Sequence, residues 1–289
     1  MSGTRDKVGL VSPVWLILPA AFFTLILFGV SAVLLLRMSF NRHPPDGIYE
    51  QAWTIESYIS IMTIRTNLIT IADTLSISFV TAIVTVVIAF IFAFYIWSLS
   101  PKNRILLVAV ALCPMLISEI SVIIGWRLFF PFNGFLSYSL LSIGLTPTKI
   151  NLLGTNFAAL VGLSYLSVSY CFFTILSVLN GIDRNLLLAS GDLGASPART
   201  FLNVLLPLSA GGIASAFTQA FVFTMGTYAT LNALGPDSLW SIGYEIQKRM
   251  LTQRDWPFAS AFAIVLVTLI ATVSMLVQYS RRRWGPKHV

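Results

Sequence analysis

Charge is scarce in this chain. Lys and Arg number 18 and Asp and Glu 11, together 10% of 289 residues, against about 25% in an ordinary soluble domain. With 56% hydrophobic residues and a mean hydropathy of +0.84, the chain has too little polar surface to cover a core in water. A soluble enzyme and a disordered protein are both excluded. The two histidines, His43 and His288, cannot supply a His-rich metal site, and neither belongs to an H-E-x-x-H pattern, so no metal site is expected. The two cysteines, Cys113 and Cys171, sit in apolar runs, where a thiol is expected to pack as a small buried hydrophobe and stay protonated. There is no G-x-x-x-x-G-K-[ST] phosphate loop, so no catalytic centre and no bound cofactor are expected. If energy is used, another subunit must supply it.

What is present is a series of long uncharged stretches, each sufficient to cross a bilayer as a helix. They cover residues 14–36, 74–100, 105–126, 157–179, 208–231 and 257–280. The expected fold is therefore an all-α integral membrane protein forming one domain over 1–289. The first stretch exceeds the 7–15 apolar residues of a signal peptide and reads as a retained anchor. The third is interrupted only by Glu119.

Six spans put both termini on one side. That side carries Arg5, Lys7, Lys102, Arg104, Arg184, Arg199, Arg281, Arg282, Arg283 and Lys287 against only Asp6, Asp183 and Asp192. The rest of the chain is balanced, so the whole net charge of +7 lies on the terminal side. Positive charge stays cytoplasmic, which places both termini there. The basic balance is a topology signal and gives nucleic-acid binding no support.

Residues 181–207 read GIDRNLLLASGDLGASPARTFLNVLLP. Asp183 can cap a helix whose apolar face includes Leu186, Leu187 and Leu188. Gly194 suits the left-handed position that ends it. Ser196 and Pro197 form an N-cap and first-turn pair for a second short helix. In it, Phe201, Val204 and Leu205 make one apolar stripe, and Pro207 opens span five. On physics alone this helix–turn–helix either lies on lipid or docks a cytoplasmic partner.

The same segment resembles the EAA loop of permeases in binding-protein-dependent ABC importers, E-A-A-x3-G-x9-I-x-L-P. Ala189, Gly194, Val204, Leu206 and Pro207 match at the right spacing. Asp192 and Leu193 before the glycine, and Ala195, Ser196, Pro197 and Phe201 after it, also resemble members. Leu188 and Ser190 depart, standing where a glutamate and the second alanine are expected. Met38-Ser39-Phe40, WTIESYISIM at 53–62, Asp73-Thr74-Leu75, Gly125-Trp126, Asn133-Gly134, Phe221-Val222-Phe223 and Asp255-Trp256-Pro257 resemble the spermidine/putrescine permease group, in particular the first of its paired permeases. The resemblance implies a type I importer. In it a second permease, here expected to be a paralogue, completes the pore, two ATPases dock on the loop, and a periplasmic solute-binding protein delivers substrate. Polyamine is the first substrate it implies, with opines, aminophosphonates, thiamine and ferric iron open.

Candidates for the pathway come from polar and aromatic residues inside spans. Glu119 is costly there and either pairs with Arg127, sits near the interface, or attracts a cation, with Trp126, Tyr165 and Tyr228 offering ring faces to an ammonium. Gln219 is expected to face the pore or a partner helix, because an unsatisfied amide in lipid costs several kcal/mol. Gly211 and Ser215 are expected at a close helix contact. A stand-alone carrier or channel and a membrane-embedded enzyme remain as alternatives. The first leaves the loop unexplained, and the second lacks a cluster of reactive groups at one depth.

Overall fold

The computed structural model describes residues 13–45 and 47–284; Arg5, Asp6, Lys7, Lys287 and His288 lie outside them. Among the described residues the chain is helical, with one isolated bridge between Arg42 and Glu50. The helices are α1 (Pro13–Ser39), α2 (Glu56–Thr63), α3 (Arg65–Ser98), α4 (Pro101–Leu116), α5 (Glu119–Phe129), α6 (Phe135–Ser142), α7 (Asn156–Asn180), α8 (Arg184–Asp192), α9 (Pro197–Thr200), α10 (Leu206–Gly226), α11 (Ala229–Leu234), α12 (Ile242–Gln247) and α13 (Trp256–Trp284). Five helical segments are long and apolar enough to cross a membrane, or six if the bent pair α4 with α5 is counted as one span.

The centre is a trio of α3, α7 and α10, which approach closely because their facing residues are small. Ala82, Ala89 and Ala93 of α3, Ala159, Ser167 and Cys171 of α7, and Gly212, Ala216 and Ala220 of α10 are all buried. Between apolar helices in lipid, such contacts hold by van der Waals packing rather than by hydrophobic drive. The i, i+4, i+8 row Gly212–Ala216–Ala220 is one position off the expected Gly211–Ser215 pair. Ser215 is exposed, its hydroxyl bonded to the Gly211 carbonyl at 2.9 Å. A one-residue error turns a helix by about 100°, enough to exchange the packed and open faces. A Cβ at Gly212 would lie 3.0 Å from Val178 Cβ on α7. Gly212→Leu is therefore expected to wedge the two helices apart at a cost of about 1–3 kcal/mol, read as a thermal midpoint several degrees lower in detergent.

Helix α1 stands apart from this trio. It packs on α13, and its residues 21–36 are exposed throughout, a surface that lipid or another chain must cover. Of the two cysteines only Cys171 is buried, where its thiol donates to the Ala216 carbonyl at 3.3 Å. Cys113 is exposed, because α4 meets α7 along one side and turns the other outward.

Two predicted spans differ in form. The third, 105–126, is two helices meeting at 94°. Pro114 removes the donor to the carbonyl one turn back, and Ile117 and Ser118 are extended, so α5 begins afresh at Glu119, where a carboxylate favours the positive end of a helix. The fifth, 208–231, ends at Gly226, and Thr227 is extended before α11 begins. At its start the helix does not restart at Pro207. It runs from Pro197 to Gly226 without a break, through a π-helical turn at Phe201–Leu205. There the Leu206 N–H reaches the Phe201 carbonyl, and the widened turn immediately precedes Pro207, whose ring would crowd an α-helical turn.

Candidate functional site

At the bundle end where α3, α7 and α13 finish, α8 and α9 form a compact helix–turn–helix. Each expected local signal is in place. Asp183 Oδ1 accepts from the Asn185 N–H at 3.0 Å and Ser196 Oγ from the Arg199 N–H at 3.4 Å, with Pro197 in the first turn. Gly194 has φ +81°. The Ala195 N–H bonds the Ser190 carbonyl at 3.1 Å and the Gly194 N–H the Gly191 carbonyl at 2.8 Å, the paired 6→1 and 5→2 bonds of a Schellman closure. Ser190, where the pattern expects alanine, ties α8 to α9, its hydroxyl lying 2.6 Å from that of Thr200.

The loop is anchored on one side and open on the other. Arg184 bonds the Trp97 carbonyl and lies over the Trp97 ring, 4.7 Å from its centroid. Leu187 packs on the core, Leu205 is buried, and Phe201 meets Phe90 and Phe94 edge-on at 6.0 and 5.7 Å. The expected apolar face of three leucines is thus split, since successive residues point about 100° apart on a helix. Leu186, Leu188 and Leu193 turn outward, 48, 67 and 89% exposed. The loop is thus continuous with α10 on one side and presents an outward apolar surface on the other.

The second region is a groove of about 890 Å³ along α7, α10 and α13, lined by Tyr170, Thr174, Ser215, Thr218, Gln219 and Gln278 among others. Gln219 Oε1 accepts from the Thr174 hydroxyl at 2.9 Å. So polar a face on spanning helices requires water or another chain beside it. Sequence reasoning missed Ser167, Tyr170 and Thr174 of α7. Their i, i+3, i+7 spacing, which puts three polar side chains on one face of the span, was the signal that could have found them.

The remaining candidates lie on the α5–α7–α11 side. Glu119 Oε1 accepts from the Thr230 hydroxyl of α11 at 2.7 Å. Among the described residues it forms no ion pair with Arg127, which is two helical turns and about 12 Å further along α5. Trp126, two turns from Glu119, stacks on Phe130 at 4.9 Å and meets Tyr165 edge-on at 5.9 Å. Tyr228 sits at the break between α10 and α11 and stacks on Tyr244 of α12 at 6.2 Å. The structure therefore joins Trp126 to Tyr165 and Glu119 to α11, while Gln219 belongs to the separate groove.

Residues 74–285 match the family described as binding-protein-dependent transport system inner membrane component. The chain is 30% identical to the spermidine/putrescine transport system permease protein PotB of Haemophilus influenzae, over 89% of this chain and 87% of that one. It is 26% identical to the PotB protein of Escherichia coli, over 89% and 93%. Among solved structures, a bacterial alginate ABC transporter in complex with an alginate pentasaccharide-bound periplasmic protein superposes with a TM-score of 0.76 at 17% identity, covering 96% of this chain and 97% of that one. The fold is that of a type I importer permease.

Proposed function

The chain belongs to the binding-protein-dependent transport system inner membrane components, a family of multi-pass permeases, and from that premise we propose that it conducts a polyamine such as putrescine or spermidine. It works as one of two permease chains, the second a paralogue, above two ATPases that bind ATP and Mg, with a periplasmic binding protein delivering the solute. Both termini and the α8–α9 knob face the cytoplasm. Lys102, Arg104, Arg184 and Arg199 gather at that end, as the retention of positive charge inside requires. The chain itself carries out no hydrolysis; it contributes motion and a pathway.

One observation carries this reading: the helix that begins beside the exposed leucines continues unbroken into α10, whose far side lines the polar groove. Closure of an ATPase dimer under α8–α9 thereby moves the groove wall. The second permease covers that groove from its open side. Likeness to PotB proteins supports the choice of substrate, as does a carboxylate, Glu119, presented at the start of α5 and held by the Thr230 hydroxyl. The test is a mild-detergent purification of the tagged chain from its native host, followed by polyamine uptake in proteoliposomes. An ATPase, a second permease and a binding protein should co-purify. A lone chain, or an assembled complex that takes up neither polyamine, would overturn the partners or the substrate respectively.

Glu119→Gln separates charge from hydrogen bonding, since the amide still accepts from Thr230. A hydrogen bond or contact to a charged group contributes about 1.5–3 kcal/mol. Maximal putrescine uptake at saturating binding protein should therefore fall about ten- to a hundredfold. Unchanged uptake would remove Glu119 from the pathway.

A further inference from the structure

The bundle end opposite α8–α9 is closed by α11, α12 and the π-helical turn Lys248–Thr252. The first turn of α12 is fixed to α3 by a bond from the Ile242 N–H to the Thr74 hydroxyl at 2.9 Å. Beside it opens a cleft of about 250 Å³ lined by Asn232, Asp237, Trp240, Ser241 and Tyr244 among others. The rings there are held in place. The Trp240 indole N–H donates to the Asp237 carbonyl at 3.1 Å, and Trp240 meets Tyr244 at 6.3 Å, tilted by 47°. Tyr244 in turn stacks on Tyr228.

Over the Trp240 ring sits an ammonium from the chain itself: Lys248 Nζ lies 4.5 Å from the ring centroid. The nearby carboxylates do not claim it. Arg249 holds Glu245 at 2.8 Å and Asp255 at 3.6 Å. Asp237, exposed at the cleft, has no ion-pair partner among the described residues. A primary ammonium thus rests on an indole face, next to a cleft that offers a free carboxylate and further aromatic surface. Cation–π attraction selects for that charge, and a diamine carries the same group at each end.

We propose that the Trp240 face is an ammonium seat, filled between transport events by the tethered Lys248 and taken over by one ammonium of the incoming polyamine, with Asp237 drawing the other into the cleft. Lys248 is then a specificity-determining residue: a solute must compete with a built-in ammonium, which a neutral or anionic solute cannot do on an indole face. This deepens the polyamine reading above and rests on it.

The test is equilibrium dialysis of radiolabelled putrescine against the purified, assembled importer without its binding protein. Lys248→Gln frees the ring and should tighten the dissociation constant about two- to fivefold, the worth of an exposed cation–π contact. Lys248→Arg keeps a cation on the ring and should bind as the wild type does. Trp240→Leu should weaken binding, and adding Lys248→Gln in that background should then change nothing; Trp240→Phe serves as the milder variant if the leucine chain fails to assemble. An unchanged constant in Lys248→Gln, or equal tightening with and without the indole, would overturn the seat, the latter by showing plain charge repulsion. Absence of binding in both the wild type and Lys248→Gln would also overturn it. Uptake by the complete wild-type importer is measured alongside. Uptake without the Lys248 effect sinks this inference alone, whereas no uptake of either polyamine sinks the substrate reading and the seat with it.

Discussion

Gly194→Val should abolish uptake while the chain still inserts and still assembles with its partners to some degree. The reason is local. Gly194 has φ +81°, and the space where a Cβ would sit is open, with no heavy atom within 4 Å. The penalty is therefore conformational rather than steric crowding by neighbours, about 1–2 kcal/mol for an ordinary L-residue in the left-handed region and more for a β-branched one. Relief comes by giving up the Schellman bonds from Ala195 and Gly194, which set the angle between α8 and α9. No spanning contact depends on them, so insertion survives while the push from the ATPase loses its rigid path to α10. Gly194→Asn provides the control, since asparagine tolerates the left-handed region, and it should retain most of the uptake that valine loses. Transport assayed with ATPase co-purification checks both. Full uptake by Gly194→Val would mean that the angle of the knob does not matter to transport.

The double substitution Leu188→Asp with Leu193→Asp should release the ATPase from the complex. Both side chains are exposed, at 67 and 89%, and neither supports the fold, so the bundle should be unaffected. Burying a leucine against a partner contributes about 1.5–3 kcal/mol. Losing two of them weakens docking by about two to four orders of magnitude, before counting the cost of placing carboxylates against an apolar surface. Size-exclusion chromatography of the importer before and after substitution, with ATPase content measured in each peak, checks the expectation. Retention of the ATPase at wild-type stoichiometry would move the docking site away from these leucines. Leu188 is the position where the family pattern has glutamate, so this importer is expected to dock there through packing rather than through charge.

Much of the candidate docking site was legible in the sequence because its determinants are local. Asp183, Gly194, Ser196 and Pro197 each act on backbone groups no more than five residues away, and such rules hold wherever the segment lies. The apolar spans were legible for a related reason, since a bilayer demands length and hydrophobicity of each helix separately.

The tertiary structure decided what depends on partners distant along the chain. Thr230 answers Glu119 across 111 positions, where sequence reasoning had offered Arg127 on the same helix. Val178 decides that Gly212 rather than Gly211 faces α7. The third span turns by 94° at Ile117 and Ser118; Pro114 marked a weak point in the sequence, but the size and direction of the bend are set by packing between helices. The continuity of α9 into α10 depended on a π turn that accommodates Pro207. By itself, then, the sequence determined a multi-span membrane permease with a capped helix–turn–helix between its spans. Which faces meet, where a span breaks and which ammonium rests on Trp240 were decided only in three dimensions, because those choices are set by packing between segments and not by any segment alone.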